Sequence, residues 1–228
     1  MGILSTLGAL TSAQDCFLCG GHSRAPLCQP CDADLPRLPA AQCPTCALPS
    51  TGGQICGACL SDPPAFDATL CGLVYDWPTT RLIQAFKYQR ALGLTRTLAL
   101  APPAPAHCPD LVIPLPLSRQ RLAARGYNQA LEIARVLARR HRLTLDATAV
   151  ARVRDTLPQA GLPWNERARN IRGAFAATRR FDGLAVAVVD DVMTTGATLD
   201  EMARTLKAAG AVRVINWVIA RALPPHMA

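Results

Sequence analysis

Residues 185–198 read AVAVVDDVMTTGAT, and this stretch decides the fold. Its first five residues are small or β-branched and apolar, a run too short for a buried helix but right for a strand buried on both faces. The run ends in two acids, Asp190 and Asp191, and a short loop follows. Beyond the loop, a helical pattern places four apolar residues on one face: Leu199, Met202, Ala203 and Leu206. The stretch therefore predicts a strand, a loop and a helix of an α/β protein.

The loop between this strand and this helix has the composition of an anion site. A helix N-terminus offers unpaired backbone N–H groups, Gly196 lets the backbone approach an anion closely, and the threonine hydroxyls add donors. Asp190 and Asp191 are acceptors only, so they would repel a phosphate but hydrogen-bond vicinal hydroxyls. Ribose 5-phosphate has both features. The alternative is an ordinary strand, turn and helix with acids at its cap, which leaves the acid pair unexplained.

The same stretch resembles the phosphoribosyl pyrophosphate signature of type I phosphoribosyltransferases. The resemblance implies a parallel sheet flanked by helices, with Mg²⁺ bound alongside phosphoribosyl pyrophosphate. It also implies that Asp190 and Asp191 hold the ribose hydroxyls, as binding and candidate catalytic residues that need not accept a proton. The 5-phosphate then falls to the loop residues Thr194, Thr195, Gly196, Ala197 and Thr198.

Length and composition set the broad class. The 228 residues are half apolar, enough for a substantial core in one large domain or two small ones. No apolar run reaches the length of a membrane span, and the first residues lack the basic region of a secretion signal. We therefore expect a cytoplasmic protein with no membrane span.

Positive charge is concentrated in the middle of the chain. Residues 119–180 contain fourteen Arg, no Lys and four acids, a net charge of +10 against +8 for the whole chain. Arginine binds phosphate in a bidentate way, so this excess suits pyrophosphate, single-stranded nucleic acid or both. The alternative is a solvated Arg-rich surface.

Eight of the ten cysteines form four CxxC pairs: Cys16, Cys19, Cys28, Cys31, Cys43, Cys46, Cys56 and Cys59. This spacing predicts structural Zn sites of four thiolates each, since structural disulfides would be reduced in the cytoplasm. The pairing of the CxxC motifs, consecutive or crossed, stays open, as does whether one or two ions bind. The region has few large apolar residues, so a metal would be needed for it to fold. We place a double zinc ribbon-like domain at 1–62, ahead of the Pro63-Pro64 hinge, and a phosphoribosyltransferase-like domain at 63–228.

A second strand, loop and helix are predicted around residues 110–138. The strand stops at Pro-Leu-Pro-Leu, because proline cannot lie within a central ladder. The basic loop after it carries Arg119, Arg121 and Arg125, and an amphipathic helix follows Gly126. In type I phosphoribosyltransferases the corresponding loop holds pyrophosphate, and here it is a candidate pyrophosphate or DNA loop.

The resemblance extends to one family, the competence-associated ComF family, and covers the chain from Cys16 to Arg221. Besides the four CxxC pairs and the basic loop, it rests on a run of further positions: Tyr127, Asn128, Gln129, Arg152, Val153, Arg154, Asp155, Thr156, Gln159, Glu166, Arg167, Asn170, Gly173, Ala174 and Phe175. The segment between Arg152 and Phe175 is either a lid over the site or a β-hairpin anchored by Trp164 and Arg172.

Membership of this family implies a zinc-binding N-terminal domain and a role in DNA uptake during natural transformation. We hypothesise a protein that binds phosphoribosyl pyrophosphate and single-stranded DNA and acts with DNA-uptake and recombination proteins. The alternative is an active phosphoribosyltransferase with an unidentified base or amine as acceptor. Whether the chain is an enzyme is left open.

Overall fold

The computed structural model describes residues 14–154, 170–224 and 227. In chain order its strands are β1 (Gln14–Asp15), β2 (His22–Ser23), β3 (Ala68–Val74), β4 (Leu111–Pro114), β5 (Thr144–Leu145), β6 (Val150–Arg152), β7 (Phe175–Ala177), β8 (Ala185–Met193) and β9 (Arg213–Arg221). Its α-helices over the same residues are α1 (Gln29–Ala33), α2 (Gly57–Ser61), α3 (Thr79–Tyr88), α4 (Thr95–Ala99), α5 (Arg119–Arg125), α6 (Gln129–His141) and α7 (Ala197–Ala208).

The chain divides into two compact units between Leu35 and Pro36. The smaller unit contains the antiparallel pair β1–β2, helix α1 and the first four cysteines of the CxxC pairs. The larger unit contains the other four of those cysteines and the central sheet. The boundary that the sequence places at residue 62 stays a prediction.

Five parallel strands form the central sheet, in the order β3-β9-β8-β4-β5. Strand β8 lies in the middle of it, as expected for a run of valine and alanine buried on both faces. On one face Val186 and Val188 join the core cluster with Met202 and Leu206 of α7. On the other face Trp217 of β9 lies 5.1 Å from the His141 ring of α6. The α/β fold predicted from the sequence, a parallel sheet flanked by helices, is confirmed.

Strand β8 is longer than the sequence indicates. The apolar run predicts an end at Val189, but the strand continues through both acids to Met193. Pairing with β4 does stop at Val189, opposite Pro114. Pairing with β9 continues to Met193 opposite Arg221, because β9 carries no proline in this region. Asp190 and Asp191 therefore lie in a paired strand, and their side chains point to opposite faces of the sheet.

The basic loop after β4 also differs from the prediction. Residues 119–125 form helix α5, and Ser118 caps its N-terminus. Ser118 Oγ accepts a hydrogen bond from the Arg121 N–H at 3.3 Å. The helix ends at Gly126 with a left-handed φ of 79°. Asn128 then caps α6 by accepting a hydrogen bond from the Ala130 N–H at 3.0 Å. Local capping at both ends turns a run that the sequence indicates as loop into a helix.

Between the basic helix and β8, strands β6 and β7 form an antiparallel pair. Residues 155–169 lie outside the described part of the chain, and so do the family positions Asp155, Thr156, Gln159, Glu166 and Arg167 and the proposed anchor Trp164. The choice between a lid and a hairpin stays open for them. Among the residues that are described, no helix has both the length and the apolar character to cross a bilayer.

Candidate functional site

The turn between β8 and α7 forms a small cup at the edge of the sheet. Gly196 caps α7 with a left-handed φ of 85°, and a Cβ there would lie 2.8 Å from Met193 Cε. The Ala197 N–H donates to Thr195 Oγ1 at 3.2 Å, and the Asp200 N–H to the Gly196 carbonyl at 2.8 Å. The lining residues of this cup, which has a volume of about 30 Å³, are Asp190, Val192, Met193, Thr194, Gly196, Thr198 and Leu199. One acid of the pair and the predicted loop thus share one cavity.

The other acid, Asp191, is occupied by an ion pair that the sequence did not reveal. Lys87 of α3 lies with its Nζ 2.7 Å from Asp191 Oδ1, and both side chains are largely buried. Burial opposes the charge on Lys87, but the carboxylates of Asp191 and Asp190 outweigh it and raise the pKa of Lys87. A possible signal was that Lys87 is one of only two lysines in an Arg-rich chain.

The surroundings of Asp190 disfavour the ionised form of its carboxyl group. Burial raises the pKa of its carboxyl to about 7, and the neighbouring Asp191 charge adds to the effect, while Lys87 lowers the pKa in part. Asp190 Oδ1 accepts a hydrogen bond from the Asp191 N–H at 2.8 Å. A carboxyl with this pKa is poised to gain from a ligand that brings hydroxyl donors or positive charge.

A basic cavity of about 240 Å³ adjoins Lys87. It is lined by residues from the end of α3 and from α5: Lys87, Tyr88, Gln89, Arg90, Ala124 and Arg125. The Arg125 guanidinium lies 5.1 Å from the ring centroid of Tyr88, which is 68% exposed. In the sequence, Phe86-Lys87-Tyr88 interleaves a cation with aromatic residues, a pattern that fits either a base-stacking element or half-buried edge residues. Tyr88 is exposed enough for the first, whereas Phe86 is fully buried.

The three candidate arginines of the basic loop are placed differently. Arg125 is close enough to lower the pKa of Asp190, and it donates to Gln129 Oε1 at 2.9 Å. Arg119 is exposed and Arg121 is half-buried on α5. No described contact joins either of these two to the acid pair.

The CxxC pairs assemble consecutively. One group is Cys16, Cys19, Cys28 and Cys31, and the other is Cys43, Cys46, Cys56 and Cys59. All sulfurs within a group lie within 4.8 Å of one another, and the Cys19–Cys28 and Cys46–Cys56 sulfurs are 3.7 and 3.6 Å apart. Four thiolates around Zn²⁺, at a bond length of about 2.3 Å, have an edge of roughly 3.8 Å. Both groups therefore fit a closed, structural zinc site.

The two groups repeat the same local geometry. Cys16 Sγ accepts a hydrogen bond from the Cys28 N–H at 3.3 Å, and Cys43 Sγ accepts one from the Cys56 N–H at 3.3 Å. Burial opposes ionisation of Cys16, but these backbone donors outweigh it and lower the pKa of Cys16 to about 6. Burial and the neighbouring Cys43 charge raise the pKa of Cys46 to about 11. A divalent cation would remove this repulsion between thiolates.

The glycines of the CxxC segments and the two cysteines outside the pairs agree only in part with what the sequence indicates. Gly20 has the left-handed φ expected of a knuckle, 73°, but the equivalent residue of the second group is Ala47, with φ 58°. The position of Gly57 between Cys56 and Cys59 also predicts left-handed backbone, but Gly57 begins α2, so that prediction is wrong. Cys71 is buried as expected, whereas Cys108 is exposed because it lies in the Pro-rich loop before β4.

Arg221, the last residue of β9, joins the second cysteine group to the cup. Its Nε donates to the Cys46 carbonyl at 2.9 Å, and its Nη1 donates to the carbonyls of Met193 (2.9 Å), Thr194 and Ala222 (2.9 Å). The residue is only 2% exposed. Burial lowers the pKa of this guanidinium, and the nearby thiols of Cys46 and Cys71 offset part of the effect. The sequence signal was an arginine that follows the apolar run Trp217 to Ala220.

Comparison with known proteins agrees with this geometry. The phosphoribosyl transferase domain family matches residues 123–223, which span α6, β8, the cup, α7 and β9. The cup and the acid pair therefore lie in a phosphoribosyltransferase domain. A purine phosphoribosyltransferase structure from Pyrococcus horikoshii covers 67% of this chain and 87% of its own length, at 17% identity and a TM-score of 0.28, which is too low to carry an argument.

The curated relatives match most of the chain. Competence protein F of Haemophilus influenzae is 33% identical over 223 residues, which are 91% of this chain and 96% of the relative. DNA utilization protein YhgH of Shigella flexneri is 35% identical over 191 residues, 79% of this chain and 84% of the relative. The chain belongs to the ComF family, as its motifs indicated.

Proposed function

We propose that this chain binds phosphoribosyl pyrophosphate at the cup between β8 and α7. The observation that carries the proposal is that Asp190 lines one small cavity beside a helix N-terminus together with the loop residues Thr194, Gly196 and Thr198. In this proposal the loop amides and threonine hydroxyls hold the 5-phosphate, and Asp190 and Asp191 accept hydrogen bonds from the ribose hydroxyls. Hydroxyl donors favour the ionised form of Asp190, so ligand binding lowers its raised pKa.

The diphosphate end of the ligand extends toward the basic cavity. Lys87 and Arg125 line that cavity, and both influence the acid pair electrostatically. Arg119 and Arg121 add positive charge from α5 nearby in the chain. A Mg²⁺ ion bound with the ligand supplies further positive charge to the diphosphate oxygens. Asp190 lines the cup with a carboxylate, a ligand type that suits such a bound complex.

We further propose that the protein acts in the cytoplasm in DNA uptake, through single-stranded DNA and together with uptake and recombination proteins. Two relatives carry names that refer to competence and DNA utilization. The basic cavity provides cations for phosphates, and exposed Tyr88 beside Arg125 provides a stacking surface for a base. Zinc in both cysteine groups would fold the region that the sequence assigns to a domain at 1–62, ahead of the domain at 63–228.

An active phosphoribosyltransferase is the second candidate, favoured by a cavity of about 440 Å³ beside the cup. Its walls include Thr195 and Gly196 of the cup and the apolar side chains of Leu48, Phe66 and Met193. The nitrogen of an acceptor base or amine there would form a bond to C1′ as the bond from C1′ to the diphosphate oxygen breaks, and that nitrogen would then lose its proton to solvent. The diphosphate leaves with the electron pair, and Lys87 and Arg125 stabilise its charge.

Isothermal titration with phosphoribosyl pyrophosphate and Mg²⁺ tests the binding site. We expect Asp190→Asn combined with Asp191→Asn to abolish binding, whereas Asp182→Asn, which removes an acid from an exposed ion pair, leaves it unchanged. Equal affinity of wild type and the double variant would refute the site. Pyrophosphate release against a panel of bases and amines then separates the two candidates, since a flat panel rejects the enzyme.

A second titration tests DNA binding. The log of the affinity for single-stranded DNA should fall steeply with log salt, and Arg90→Ala should reduce the slope by about 1. Tyr88→Ala should cost about 1–3 kcal/mol if a base stacks on the ring. Arg135→Ala, which removes an exposed cation paired with Glu132 outside the cavity, is the matched control. If log affinity falls with log salt at the same slope in wild type and in all three variants, binding at this cavity is contradicted.

A further inference from the structure

Arg221 connects two parts of the larger unit that have no other reason to share a side chain. On one side it donates to the carbonyl of Cys46, a member of the second cysteine group. On the other side it donates to the carbonyls of Met193 and Thr194, where β8 leads into the cup. Over the rest of this boundary, Cys46 and Cys59 are separated from Thr195 and Gly196 by the cavity of about 440 Å³. Cys43 and Cys46 also belong to the same core cluster as Met193 and Leu199, so Arg221 adds a polar link to this apolar packing.

The charge of Arg221 is compensated in an unusual way. The acceptors described for its guanidinium are backbone carbonyls and the Cys46 thiol, and none is a carboxylate. A guanidinium that is 2% exposed is unfavourable without a nearby negative charge. The ionisable groups that favour its charge are thiols, including Cys46 and Cys59 of the second group. Four thiolates with one Zn²⁺ carry a net charge of −2, so a loaded group supplies the missing counter-charge.

We propose that metal in the second cysteine group sets the conformation of the phosphate cup through Arg221. With the metal bound, the group holds the Cys46 carbonyl in place and balances the guanidinium charge. Arg221 then fixes the carbonyls of Met193 and Thr194 and, with them, the turn that aims the loop amides. Arg221 is thus a positioning residue. Its value for phosphate binding rests on the function proposed above, but its effect on the turn does not.

The chain contains its own control for this proposal. The first cysteine group is likewise built from two CxxC pairs, with an equivalent N–H to sulfur bond and the same fit to zinc. It lies in the other compact unit, however, and the described contacts of Arg221 do not include any of its residues. Cys31 and Cys59 are the last ligands of the two groups and both are half-buried. Loss of metal from the first group should therefore leave the cup unchanged.

The experiment is amide hydrogen exchange by NMR in zinc-loaded wild type, Cys31→Ser, Cys59→Ser and Arg221→Met, with the zinc content of each variant measured. The reporters are the N–H groups of Ala197 and Asp200, which are hydrogen-bonded within the cup. The amides of β4 serve as the reference. We expect Cys59→Ser and Arg221→Met each to speed reporter exchange by about tenfold relative to β4. Cys31→Ser should lose as much zinc without this effect.

A double variant distinguishes positioning from general destabilisation. If the metal acts through Arg221, Cys59→Ser combined with Arg221→Met should exchange no faster than either single variant, and Arg221→Lys should restore part of the protection. Unchanged reporter exchange in Cys59→Ser, additive effects, or equal loss of protection in the reporters and in β4 would each overturn the proposal. Phosphoribosyl pyrophosphate titrated with Mg²⁺ into wild type is a separate measurement. Its failure to bind would reject the proposed function and leave the exchange result decisive for Arg221.

Discussion

Replacing Asp190 by asparagine should stabilise the protein while removing ligand binding. The carboxyl of Asp190 has a pKa of about 7 in the folded protein against an ordinary value of 3.8. Between these two values the folded protein holds a proton that the unfolded chain has lost, so the free energy of unfolding falls as pH rises. Above pH 7 both states are ionised, and the loss levels off. Asp190→Asn removes this loss and keeps an oxygen that can accept the Asp191 N–H.

The magnitude follows from the two pKa values. Each tenfold change in proton affinity is worth about 1.36 kcal/mol, so Asp190→Asn should gain about 2 kcal/mol at about pH 5.5 and about 4 kcal/mol above about pH 8. Urea denaturation across this pH range, with zinc present throughout, measures the gain. The control is Asp182→Asn, which makes the same change of charge at an exposed ion pair.

Two results would refute this reasoning about Asp190. A variant that is less stable than wild type at about pH 8 would show that the carboxylate is satisfied by contacts that asparagine cannot make. A gain that does not change between about pH 5.5 and 8 would show that Asp190 does not titrate in this range. Stabilisation together with lost affinity for phosphoribosyl pyrophosphate is the expected pattern of a residue kept for function.

Three further predictions concern the site and its surroundings. Lys87→Met leaves Asp191 buried without its partner, so we expect a loss of about 3 kcal/mol in the free energy of unfolding, measured by urea denaturation. An unchanged free energy of unfolding would contradict a stabilising ion pair. Gly196→Ala should lower the free energy of unfolding by about 1–2 kcal/mol for its left-handed φ, with a further loss because the new Cβ crowds Met193. Gly183→Ala is the control, since it has the same backbone cost but its Cβ would lie in open space. Equal losses for the two variants in thermal melts would exclude crowding. The pKa of Asp146 is lowered because hydrogen bonds from Thr148 and the charge of Arg179 outweigh its burial. Asp146→Asn should therefore destabilise the protein at neutral pH, by an amount that disappears as pH falls below about 4. A loss of stability that is the same at every pH would exclude titration of Asp146.

The sequence alone identified the elements in which local pattern and burial agree. The apolar run before Asp190 could only be a buried strand, and the helical face of Leu199, Met202 and Leu206 is fully buried as predicted. The CxxC spacing predicted four-thiolate sites because two residues between cysteines suffice to present both sulfurs to one ion. These features depend on neighbours in the chain, so periodicity and spacing reveal them.

Tertiary structure decided what depends on residues far apart in the chain. The consecutive grouping of the CxxC pairs, the pairing of Lys87 with Asp191 and the bonds from Arg221 to Cys46 and Thr194 join positions separated by up to 175 residues. The extension of β8 through its acids likewise depended on a partner strand, since β9 continues where β4 is stopped by proline. A side chain's charge partner is set by where the fold brings it, and no local pattern encodes that distance.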